Sequence, residues 1–94
     1  MPVSLDDRVF PSESVLCKDV GNEAVLLDLE SESYFGLNAV GTRCWTLFAT
    51  TPRIGDAIEI LAREYDAPPD QLRRDVEELV EALVRRGLLR TARE

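Results

Sequence analysis

Apolar residues alternate with polar ones in the first half of the chain and recur every three or four positions in the second. The run SVLCKDV, residues 14–20, is rich in β-branched and apolar side chains. Gly21 and Asn22, which tolerate positive φ, separate it from a second such run, EAVLLDLE. Two runs around such a turn predict a β-hairpin. The polar, acidic turn at residues 30–33 then returns the chain to a third strand through Tyr34, Phe35, Gly36 and Leu37. Three strands in simple succession form a meander, and its outer strands are edges unless something covers them.

From Asn38 the period changes to that of a helix. The Asn38 side chain is suited to accept from amides one turn in, and Val40, Cys44, Leu47 and Phe48 follow on one face with Trp45 beside them. Gly41 costs such a helix about 1 kcal/mol relative to alanine, which implies a close approach to neighbouring backbone. Thr51 before Pro52 reads as a cap followed by a first-turn proline, opening a second helix over residues 53–65 with Ile54, Ala57, Ile58, Leu61, Ala62 and Tyr65 on one side. A third helix is predicted over residues 69–86, with the stripe Leu72, Val76, Leu79, Val80, Leu83 and Val84. Asp70 lies in its first turn, Arg85 and Arg86 in its last, and Gly87 just beyond. Leu88 and Leu89 rejoin the core.

Residues 1–14 hold two prolines, three serines and no sustained period, so an irregular or partly paired arm is expected there; residues 90–94 read as a frayed polar tail. Residues 15–89 are then the folded unit, a small α+β domain with winged-helix proportions: a three-stranded antiparallel sheet followed by three helices. A chain of 94 residues supports one modest core and no second one.

Charge narrows the function. Eighteen acidic against eleven basic residues give a net charge of −7, a field that repels nucleic acid and anionic lipid. The third helix would be the DNA reader of a winged-helix regulator. It carries Arg73, Arg74, Arg85 and Arg86 against Asp70, Asp75, Glu77, Glu78 and Glu81, so this alternative lacks an electrostatic footprint. No apolar run is long enough to span a membrane, and Asp6 and Asp7 stand where a signal peptide would be basic and then apolar, so cytoplasmic residence is the default. Cys17 and Cys44 have apolar neighbours and are expected as buried free thiols.

Catalytic readings start poorly, because the chain has no histidine. Cys44 has no imidazole to activate it and shares a helical face with Val40 and Leu47, which makes it a core thiol. Glu77, Glu78 and Glu81 alternate with arginines on an exposed face and carry no paired acid and base roles. Neither a phosphate-cradling glycine loop nor metal-ligand spacing is present, so no catalytic residue, metal or cofactor is expected.

The remaining candidate is an aromatic edge. Three of the six aromatic rings fall in the thirteen residues SYFGLNAVGTRCW, beside two glycines. Alternation along a strand places Tyr34 and Gly36 on one face and Phe35 and Leu37 on the other. One set can fill the core while the other leaves room for an incoming chain.

The segments LLDLES, YFGLN with a following glycine and tryptophan, and EYDAPPDQLRRDVEELV together resemble the PqqD family, the small domains called RiPP recognition elements, over residues 15–89. The resemblance implies a winged-helix-like domain without activity of its own. Such a domain takes the leader of a ribosomally made precursor peptide as an added strand on the third strand and packs it against the third helix. Carried over, the docking strand is Ser33, Tyr34, Phe35, Gly36 and Leu37; we assign the helix face to Asp75, Glu78, Leu79, Ala82 and Arg86, positions that border the apolar stripe of the third helix. A chain ending at Glu94 without a fused enzyme is expected to be free-standing, and its acidic, arginine-rich third helix and N-terminal arm resemble more the members that serve lasso peptide biosynthesis. The partners implied are the leader peptide and a separate leader peptidase of the cysteine-protease class, with pyrroloquinoline quinone maturation as the second setting.

Overall fold

The computed structural model describes residues 6–92. Its elements run β1 (Arg8–Pro11), β2 (Val15–Val20), β3 (Glu23–Asp28), β4 (Ser33–Leu37), α1 (Ala39–Thr50), α2 (Ile54–Glu64), α3 (Pro69–Arg85) and β5 (Leu89–Ala92). The class is α+β, as expected. The three-stranded antiparallel sheet has the order β2-β3-β4, and β1 and β5 form a second, two-stranded sheet.

The first hairpin closes where predicted. Gly21 takes φ +69° while Asn22 does not enter positive φ, the pattern of a II′ turn, and Val20 stands opposite Glu23. The turn between β3 and β4 is organised by the carboxylate of Asp28. It accepts from the Glu30 amide at 3.0 Å and from the hydroxyls of Ser14 and Ser31, each at 2.9 Å. Ser31 in turn bonds to Ser33 at 2.6 Å, which ties the start of β4 to the same cluster.

Asn38 caps α1 as its position suggests, its side chain accepting from the Gly41 amide at 2.8 Å. The neighbour that crowds Gly41 differs from the expected one. A Cβ there would meet Asn38 Oδ1 at 3.3 Å and Leu37 Cδ2 at 3.4 Å, so the close neighbours are the side chains of the cap and of the residue before it rather than another element's backbone.

The start of α2 also departs from expectation. Thr51 closes α1, its amide donating to the Leu47 carbonyl, and the helix begins only at Ile54. The intervening backbone is occupied by β1: the Val9 amide donates to the Pro52 carbonyl, and the Ile54 amide to the Asp7 carbonyl. Arg53 fixes the corner by pairing with Asp6 at 2.7 Å and Asp56 at 2.9 Å.

Part of the expected arm and part of the expected tail are therefore ordered against each other, with Arg8 opposite Ala92 and Pro11 opposite Leu89. Residues 1–5 of the arm and 93–94 of the tail lie outside the described residues. The α3 terminus is a Schellman motif: Leu88 donates to Leu83, Gly87 to Val84, and Gly87 sits at φ +76°. That turn aims Leu88 and Leu89 into the core.

The core lies between the sheet and the helices and gathers Val9, Ala24, Leu26, Leu37, Phe48, Ile54, Leu61, Val76, Val80 and Leu83. Cys44 is buried within it, as expected, whereas Cys17 is exposed on β2, contrary to the expectation of a second buried thiol. β2 lies at the uncovered margin of the sheet, with only Val15 half-buried.

Candidate peptide-binding edge and groove

β4 is an edge strand among the described residues: β3 lies on one side of it and no strand on the other. Ladder parity decides which of its amides are spare. The Leu29 amide donates to the Ser14 carbonyl at 2.9 Å, continuing the ladder in which Val20 faces Glu23. Backbone groups of odd-numbered β3 residues therefore point to β2, and those of Ala24, Leu26 and Asp28 point to β4. Their partners are Leu37, Phe35 and Ser33, so the N–H and C=O groups of Tyr34 and Gly36 face outward.

Side-chain alternation follows the expected pattern. Tyr34 is 71% exposed and Gly36 is open, while Phe35 is half-buried and Leu37 is in the core. Nothing lies within 4 Å of a Cβ built on Gly36. The third ring of the cluster, Trp45, packs half-buried against the core from α1. None of the three rings is fully enclosed.

Beside the end of β4 runs a groove of about 370 Å³. Gly36, Leu37 and Asn38 form one wall, and Val40, Gly41 and Cys44 of α1 form the floor. Leu72, Asp75, Val76 and Leu79 of α3 form the opposite wall, with Gln71, and Tyr65 and Ala67 close the end. The lining is mostly apolar, with Asn38, Gln71 and Asp75 supplying polar groups, the composition expected of a site that buries an apolar anchor and orients it.

Of the five α3 residues expected on a binding face, Asp75 and Leu79 line this groove. Glu78, Ala82 and Arg86 continue the same stripe toward the helix end by i+3 and i+4 spacing. Arg86 is exposed, and its guanidinium stands 5.1 Å from the centre of the Phe35 ring. Strand and helix are thus linked at both ends of the stripe. Val40, Tyr65, Ala67 and Gln71 were not singled out from the sequence as site residues. Tyr65 read as part of the α2 stripe, and only the path of the α2–α3 connection shows that it turns toward the groove.

The outer face of the sheet carries a second feature. Leu16, Leu27 and Tyr34 stand in one cross-strand row and are 54%, 39% and 71% exposed, with Val20 exposed nearby. Side chains alternate along β4, so this row and the core-side residues Phe35 and Leu37 lie on opposite faces of the sheet.

Burial pushes the Cys44 thiol up to about 12, so the thiolate is absent at neutral pH. No described group of His, Cys, Asp and Glu side chains is placed to hold a metal ion. No helix among the described residues is long and apolar enough to cross a membrane.

An open-edged three-stranded sheet packed beside three helices, with a groove at the end of the free strand, defines a class of small α+β domain. Within it the family is established by sequence: residues 23–89 match the family described as Coenzyme PQQ synthesis protein D, and the chain belongs to this PqqD family. The fold is shared with the solved structure of TbiB1 in complex with the TbiA(beta) leader peptide. The TM-score is 0.78 at 33% identity, over 84% of this chain and 92% of that one. No curated protein sequence matches the chain.

Proposed function

We propose that this protein binds the leader segment of a ribosomally synthesised precursor peptide. The leader adds as a strand to the outer edge of β4 and packs against α3, where Ser33, Tyr34, Phe35, Gly36 and Leu37 and the stripe Asp75, Glu78, Leu79, Ala82 and Arg86 meet it. The observation that carries the reading is the unpaired edge at Tyr34 and Gly36, with an apolar groove at its Gly36 and Leu37 end. Main-chain hydrogen bonds from the edge supply affinity without regard to sequence, and the groove supplies selectivity. Membership of the PqqD family and likeness to a leader-bound protein support the same reading.

The protein has no catalytic role in this scheme. It holds the precursor near a separate processing enzyme and so raises its effective concentration there. A leader peptidase of lasso peptide biosynthesis is the first candidate, in keeping with the likeness to TbiB1, and an enzyme of pyrroloquinoline quinone maturation is the second, in keeping with the family description. Residence is cytoplasmic, where precursor and enzyme are made. The exposed row Leu16, Leu27 and Tyr34 is a contiguous apolar surface away from the groove and gives the enzyme a place to dock while the leader is bound.

Proline replacement tests the edge directly. Gly36→Pro removes an outward amide, so the variant is expected to keep its far-ultraviolet circular dichroism yet lose binding of a leader taken from a neighbouring precursor gene, measured by titration calorimetry. Phe35→Pro removes an amide that β3 uses, and is expected to weaken the fold itself. A folded Gly36→Pro protein that binds as tightly as the parent would refute strand addition at β4. For the enzyme surface, Leu16→Asp is expected to leave leader binding unchanged and to abolish the stimulation of leader cleavage, read by mass spectrometry.

A further inference from the structure

We infer that the groove selects leaders with an acidic residue two positions from an apolar anchor, the acid pairing with Arg86 and the anchor filling the cavity beside Leu37. The inference rests on the strand-addition reading and specifies its ligand.

Cross-strand neighbours share a face of the sheet, so residues of an added strand opposite Phe35 and Leu37 point to the core side, where α3 lies. Those two leader positions are separated by one residue. The position opposite Leu37 looks into the apolar cavity between Leu37, Val76 and Leu79. The position opposite Phe35 looks at the guanidinium of Arg86, held over the Phe35 ring at 5.1 Å. Among the described residues no carboxylate pairs with Arg86, a lack it shares with Arg63, Arg74, Arg85 and Arg90; what sets Arg86 apart is its place over the Phe35 ring beside the free edge of β4. A guanidinium resting on an aromatic face keeps its edge donors available for a carboxylate.

The far end of the groove has the opposite sign. Asp75 lines the cavity, so an acidic residue placed there would meet a like charge. The two ends therefore fix which way the charge of the leader runs along β4. If the added strand is antiparallel to β4, the anchor precedes the acid by two residues; if parallel, it follows.

The test is selection of a displayed library of random fifteen-residue peptides on the full chain, on Arg86→Glu and on Arg86→Gln. The wild type is expected to enrich peptides with Asp or Glu two positions from an aromatic or aliphatic residue. Arg86→Glu is expected to exchange that acid for Lys or Arg while keeping the anchor. For a synthesised winner, acid to amide should lower affinity about fivefold on the wild type and change nothing on Arg86→Gln. The same motif enriched on wild type and Arg86→Glu would overturn the inference while leaving strand addition standing. Enrichment of no peptide by the wild type would remove the peptide-binding reading and this inference with it.

Discussion

Asp28 shows how much one side chain organises near the binding edge. The Glu30 amide, followed by the hydroxyls of Ser31 and Ser14, holds its carboxyl below the usual carboxylate range. A group whose folded value is depressed contributes stability that is complete above its unfolded value, about 4, and that disappears as pH falls through the folded value. Acid unfolding of the parent protein below about pH 4 is therefore expected to be steeper than that of Asp28→Asn, which should be less stable at pH 7 and flatter in acid, as urea titrations at several pH values will read. The Arg43–Glu64 pair has the same sign, since Arg43 lowers Glu64, but lies on the surface and weighs less. The thiols separate equally well at this scale. Cys17 is exposed and Cys44 is buried with its pKa near 12, so brief alkylation of the native protein should modify Cys17 alone, and modification of both in peptide mass spectra would contradict the described burial.

At the scale of elements, the best local signals sit at the helix ends. Gly87 at φ +76° completes the Schellman turn, and nothing crowds a Cβ there, so Gly87→Ala is expected to cost about 1 kcal/mol through backbone conformation alone. A shift of the urea midpoint at unchanged slope checks it. This turn, the Gly21 hairpin and the Asn38 cap were legible in the sequence because each depends on residues at most a few positions apart. The stripes of α2 and α3 were legible for the same reason. Thr51 and Pro52 carried an equally good local signal for a helix start, yet α2 begins at Ile54, because β1 arrives from more than forty residues away and takes the Pro52 carbonyl. Pairing between β1 and β5 is longer-range still, and strands of four residues each leave almost no period to detect. The site divides along the same line. The edge at Tyr34 and Gly36 could be read from the meander, but the side of β4 on which its amides lie required the register, and Ala67 and Gln71 reach the groove only through the path of the α2–α3 connection.

For the molecule as a whole, the two short terminal strands hold the helical layer together without lining the groove. Val9 is wholly buried, its amide is bound to Pro52, and Ser12 binds the end of α3 through Leu88 and Gly87. β1 thereby joins the α1–α2 corner to the α3–β5 corner, which the sheet β2-β3-β4 does not reach with hydrogen bonds of its own ladder. If this tie belongs to the cooperative unit, removing two methyl groups at Val9 must lower the stability of every element together. Val9→Ala is expected to cost about 2 kcal/mol in lost burial and residual cavity. Its signature in hydrogen exchange is uniform: the slowest amides of β3, α2 and α3 should all speed up by about thirtyfold, since 1.4 kcal/mol corresponds to a factor of ten. Faster exchange confined to β1 and β5 would instead mark the terminal strands as a separate, weakly coupled layer. Leader binding offers the complementary reading, because Val9 does not line the groove. At a temperature where Val9→Ala remains folded, its affinity for a leader should equal that of the parent, so that stability and recognition are separable within the same small core.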